Sequence, residues 1–274
     1  MSKFRKCLFI SFLIILSCNS ENKNDLRFKV FQFYKNGDFQ SALQVVNKLL
    51  IDYPNENDFY YLRSRIYFKK KEYLQSENDI RKAIGINSGV PEYYFIYGEV
   101  LVKNNKAEEA IKAFIKCTTI DTLYADAFRE YAGLLNIKGN YDSAYLYINK
   151  AIRINPHSPE NYNIRGITQE AKRNYYEAIK DYSLSIKLGF NSYEVFLNRA
   201  ASYAHISEFK LAIDDLNRVI SIDSSIGIVF CNRGYMYYQL NYIQNACLDW
   251  SKGLELNNPD SKTALEKYCT SKKI

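Results

Sequence analysis

Histidine is nearly missing from this chain: among 274 residues only His157 and His205 occur, beside a single tryptophan, Trp250. Neither histidine stands at a recognisable motif spacing from a serine or cysteine, so nucleophilic catalysis has no foundation and no enzyme is expected. The six cysteines include no CxxC and no Cys/His ligand spacing, and neither metal nor cofactor is expected. The apolar run Leu8 to Leu16 covers nine residues, short of the roughly 20 that a membrane-spanning helix needs. Strand-like alternation is not found, and the five prolines sit only at Pro54, Pro91, Pro156, Pro159 and Pro259.

What is present is a period. Counting Lys23 as place 1, units of 34 residues begin at Lys23, Asn57, Pro91, Ala125, Pro159, Tyr193 and Gly227, without insertion or deletion. Place 20 reads Ala42, Ser76, Ala110, Ala144, Ala178, Ala212 and Ala246. Place 4 is large in every unit, from Leu26 through Tyr60 to Phe230, while place 8 is small in all but the first: Ser64, Gly98, Ala132, Gly166, Ala200 and Gly234 against Val30. Apolar places 4, 8 and 11, then 20, 24 and 27, follow the rhythm of two helix faces. The prolines fall at unit seams, where a missing N–H at a first helical turn costs little. Gly37 and Gly139 mark turns between the paired helices. One pair cannot bury its apolar stripe alone, so neighbours must stack.

These columns resemble the tetratricopeptide repeat family in unit length and in the order aromatic, small, aromatic, Ala, large apolar, small, Pro, over residues 23–260. The resemblance implies an all-α fold, a right-handed α-solenoid of seven 34-residue helix-turn-helix units (23–56, 57–90, 91–124, 125–158, 159–192, 193–226, 227–260), with a capping helix and tail at 261–274. It also implies a concave face, built by the first helices, that holds a protein or peptide segment. The aromatic and basic residues that the family geometry puts there in repeats 1–3 are Arg27, Phe31, Tyr34, Tyr61, Arg65, Phe68 and Phe95. They exceed what a core requires, which points to burial by a partner. No three consecutive units match the family's carboxylate-clamp pattern, so a chaperone-type clamp is not expected.

A second pattern lies within the first. Arg at place 7 accompanies Asp at place 23 in four units, as Arg63 with Asp79, Arg165 with Asp181, Arg199 with Asp215 and Arg233 with Asp249. The other units have neither. Both places are equidistant from the turn at place 15, so on antiparallel helices they lie level, and structural ion pairs are expected. The acidic column at place 2, Asp58, Glu92, Asp126, Glu160 and Glu194, reads as helix N-terminal preference and not as a carboxylate array. Cys117 occupies a small core place, and a bridge between Cys231 and Cys247 is a possibility left open.

Residues 1–17 combine Lys3, Arg5 and Lys6 with a short apolar run, the plan of a secretory signal. The stretch ending at Cys18 resembles a bacterial lipoprotein signal, with Cys18 the lipidated residue and 18–24 a polar tether. The net charge of +7 comes with scattered lysines and an exported destination, so nucleic acid is not an expected partner. The expectation is therefore a lipid-anchored scaffold of the cell envelope, at an outer membrane, that binds a protein or peptide for envelope assembly. The rival is a glycan-binding lipoprotein.

Overall fold

The computed structural model describes residues 22–269, in which every element is an α-helix. The first helices of the units are α1 (Lys23–Lys35), α3 (Asn57–Lys69), α5 (Pro91–Lys103), α7 (Ala125–Ile137), α9 (Pro159–Ala171), α11 (Tyr193–His205) and α13 (Gly227–Gln239). The second helices are α2 (Phe39–Asp52), α4 (Tyr73–Ile86), α6 (Ala107–Ile120), α8 (Tyr141–Ile154), α10 (Tyr175–Lys187), α12 (Phe209–Ile222) and α14 (Ile243–Glu255), and α15 (Pro259–Tyr268) follows. The cap thus begins two residues earlier than 261, because Pro259 suits a first helical position and the Asn258 side chain accepts from the Ser261 N–H.

Every first helix starts on the first residue of its 34-residue unit. The turn residue at place 15 has positive φ in all seven units, as Gly37, Lys71, Asn105, Gly139, Arg173, Ser207 and Asn241. Only two of these are glycine, so five side chains accept the left-handed region to keep the turn tight.

The described residues form two compact bodies, α1–α4 through Asn87 and α5–α15 from Ser88 onward. In the first, α2 packs on α3 and the core gathers Val30, Val46, Leu49, Phe59 and Ile66. In the second, each second helix packs on the first helix of the next unit, and α14 packs on α15. Places 8 and 24 meet inside each pair and are matched in size. Gly98, Gly166 and Gly234 face the rings of Phe114, Tyr182 and Trp250, and a methyl group at those glycines would stand 2.5 to 2.6 Å from ring atoms. Where place 8 is Ala132 or Ala200, place 24 is the smaller Ile148 or Leu216.

The cysteines settle differently from the Cys231–Cys247 possibility. Cys247 is bridged to Cys269, with Cα atoms 5.9 Å apart, and Cys231 is a buried free thiol. Cys231 and Cys247 stand at places 5 and 21, which are not level about the turn. Their mismatch is four residues, about 6 Å along a helix axis. Cys269 ends the cap beside Tyr238, Trp250 and Tyr268, so the bridge ties α15 onto α14. Cys117 is buried, and burial pushes its thiol up to about 12.

Candidate functional site

Each of the four arginines at place 7 makes a forked pair with the aspartate across its own helix pair. Arg63 Nε and Nη2 lie 2.7 and 2.8 Å from the Asp79 oxygens. The matching distances are 2.9 and 2.6 Å for Arg165 with Asp181, 2.8 and 2.6 Å for Arg199 with Asp215, and 2.8 and 2.7 Å for Arg233 with Asp249. The aspartates are buried, and burial pushes the Asp181 and Asp215 carboxyls above the usual range although the guanidinium pulls the other way.

The third arm of each guanidinium reaches back one unit. Nη1 donates to Asn47, Asn149, Ser183 and Asn217 respectively, at 2.6 to 2.9 Å. All four acceptors occupy place 25 of the preceding repeat. Ring faces at places 4 or 11, such as Tyr162 under Arg165 at 5.4 Å, complete the seat. These residues therefore fasten each helix pair together and fasten it to its predecessor; no charge is left over for a ligand. The place 25 acceptor could have been found, since an amide or hydroxyl stands there one unit before every such arginine.

The aromatic and basic residues expected to bind a partner are not all brought together. In the first body, Phe31 and Tyr34 of α1 face Leu62 and Arg65 of α3 across a shallow cleft. The Arg65 guanidinium lies 5.1 Å from the Tyr34 ring and 5.6 Å from the Tyr61 ring, and no carboxylate pairs with it among the described residues. Phe31 is 52% exposed and Phe28, on the same helix, 62%. Arg27 is turned aside by Asp58 at 2.9 Å. Phe68 sits edge-on to Tyr73 across the turn, as Tyr34 does to Phe39, but it does not line the cleft beside Arg65. Phe95 lies in the second body, packed between Phe114 and Tyr124. Cys18 lies outside the described residues.

The acidic place 2 residues sit in first turns, as expected, and several hold further partners. Asp126 accepts from Arg129, and Glu160 from the Ser158 hydroxyl. First helices of the second body also carry buried acceptors without donors: Asn136 Oδ1, Asn161 Oδ1 and Asn163 Oδ1. Asn136 spends its amide nitrogen on Thr168 at 2.9 Å. Nearby, Glu170 accepts from the Tyr182 hydroxyl at 2.7 Å, and burial raises both groups' pKa. Orphan oxygens of this kind favour a donor from outside.

Among the described residues no cluster of three His, Cys, Asp or Glu could hold a metal ion, and no helix is long and apolar enough to cross a membrane. Trp250 is fully buried, stacked near Tyr268 with ring centres 5.5 Å apart.

Residues 130–158 match the family model described as tetratricopeptide repeat, and residues 33–117 that of anaphase-promoting complex, cyclosome, subunit 3. The TPR repeat-containing protein MJ1428 of Methanocaldococcus jannaschii is 23% identical over 239 residues, 80% of this chain and 42% of that protein. The chain spans less than half the length of curated relatives such as this one. The crystal structure of the APC/C hetero-tetramer Cut9–Hcn1 superposes with a TM-score of 0.73 at 14% identity, covering 93% of this chain and 50% of that one. PilW, a widely conserved type IV pilus biogenesis factor, gives 0.67 at 16% identity, covering 73% and 94%. Proteins of this repeat class are typically non-catalytic and bind protein or peptide segments. With seven helix pairs in a 34-residue register and a capping helix, this chain has the all-α fold of the tetratricopeptide repeat proteins to which it is similar.

Proposed function

We propose that the chain is an adaptor whose first-helix face in repeats 1 and 2 grips a peptide segment bearing a carboxylate next to an aromatic or aliphatic anchor. The observation that carries this reading is Arg65, a cation stacked on Tyr34 and Tyr61 with no carboxylate of its own, beside the exposed ring of Phe31. A partner carboxylate would complete the charge and its neighbouring side chain would cover Phe31 and Leu62. An array of immobilised dodecapeptides that permutes acidic and aromatic residues tests it. The wild type should retain the acidic-aromatic members, while Arg65→Ala and Phe31→Ala lose them at least tenfold with unchanged melting. Equal retention by the variants would sink the assignment. A glycan platform has little support, because the sole tryptophan, on α14, is fully buried against the cap.

The same reading includes a lipid anchor at Cys18, where residues 1–18 follow the plan of a lipoprotein signal, and a place at an outer membrane in service of envelope assembly. Cys18→Ser should abolish incorporation of labelled palmitate and free the chain from membranes. A wild type that takes up no label would remove the anchor from the proposal.

A further inference from the structure

Repeat 4 lacks the arginine relay. At places 7 and 23 it has Tyr131 and Tyr147, whose ring centres lie 4.6 Å apart, and the preceding place 25 is Ile115 instead of an amide or hydroxyl. None of the three can reach as a guanidinium does. A cleft of about 500 Å³ opens at this seam, between α6, α7 and α8, within the size range of pockets that hold discrete ligand groups. The same lapse in repeat 1, Lys29 with Val45, also coincides with a cleft of about 330 Å³.

The chemistry of the repeat 4 cleft is one-sided. Its floor is Phe128, Tyr131 and Tyr147, and its rim carries Lys150 and Arg153. Lys150 Nζ stands 5.0 Å from the Tyr147 ring and 5.5 Å from the Phe128 ring. No carboxylate lines the cleft, and neither cation is ion-paired among the described residues. Every relay arginine, by contrast, is matched by its aspartate. Two unmatched cations over an aromatic floor call for an anion attached to an apolar body.

We infer that this cleft is a second binding site, for an acidic peptide segment that sets a glutamate or aspartate carboxylate against Lys150 and Arg153 and lays an adjoining aromatic side chain on Phe128, Tyr131 and Tyr147. It uses second helices and so goes beyond the first-helix face of repeats 1 and 2. The chain would then carry two separate binding sites, one in each compact body.

The probe is a pentapeptide of glycine, glutamate, phenylalanine, glutamate and glycine, blocked at both ends, titrated into the isotope-labelled full chain up to millimolar concentration. Amide shifts should cluster in residues 115–154 of repeats 3 and 4 and fade with salt. Lys150→Ala with Arg153→Ala should weaken binding at least fivefold without moving the melting temperature. Ile115→Asn, Tyr131→Arg and Tyr147→Asp, installed together, should rebuild the relay, fill the cleft and abolish binding while the chain stays folded. No shifts in this region, or equal shifts with the glutamine-for-glutamate peptide, would overturn the inference. So would inorganic phosphate giving the same pattern at the same concentration, which would leave a plain anion site. Arg65→Ala is expected to leave these shifts intact, which keeps this site's failure separate from that of repeats 1 and 2.

Discussion

Asp181→Ala is expected to cost about 3 kcal/mol of unfolding free energy in urea titrations, because Arg165 would be left with two arms inside the repeat seam and no carboxylate to meet them. Arg165 is 23% exposed and Asp181 7%, which places the cost near the lower end for a broken buried pair. Arg165→Ala should cost a similar amount. The double variant should fall well short of the sum, with a coupling of about 2 kcal/mol, since neither charge is then stranded. Asn149→Ala should couple to Arg165 as well, because its Oδ1 accepts from Nη1 at 2.8 Å although it belongs to the previous repeat. Additive effects near zero would mean that the pair is idle. A repeat array is stabilised by neighbour interfaces, so hydrogen exchange should quicken in repeat 4 as well as repeat 5.

Gly98→Ala is expected to cost about 2–3 kcal/mol, a large loss for one methyl group in a helix that alanine otherwise favours. The added carbon would lie 2.5 Å from Phe114 Cε1, inside any van der Waals contact, and the Phe114 ring is fully buried. The remedy is present elsewhere in the molecule, where Ala200 faces Leu216 at the same two places. Phe114→Leu combined with Gly98→Ala should therefore recover at least half of the loss, even though Phe114→Leu alone should destabilise by leaving a cavity. If Gly98→Ala melts like the wild type, the helices are not held at this distance by the small residue.

Much of the fold could be read before any coordinates, for a simple reason. A solenoid unit repeats one local solution, so each position is seen seven times and chance agreement averages out. The phase of the helices, the seam prolines and the turn at place 15 all belong to a single unit, where sequence distance and spatial distance run together. The pairing of Arg at place 7 with Asp at place 23 also lies within one unit and follows from their equal distance to the turn.

Tertiary structure decided what joins one unit to another or breaks the repeat. The backward reach of each guanidinium to place 25 involves two units, and its register depends on how far successive pairs advance, which no column states. Cys247 found Cys269 and not Cys231 because the cap folds back onto α14, whereas places 5 and 21 miss each other by a helical turn. Phe95 shares its column with Tyr61, yet it is half-buried against the rings of Phe114 and Tyr124 while Tyr61 lies beside Arg65. The cleft at Tyr131 and Tyr147 is the clearest case. In the sequence it is the absence of a pair; in space it is a hollow with two cations at its edge, because side chains that cannot bridge a seam leave it open.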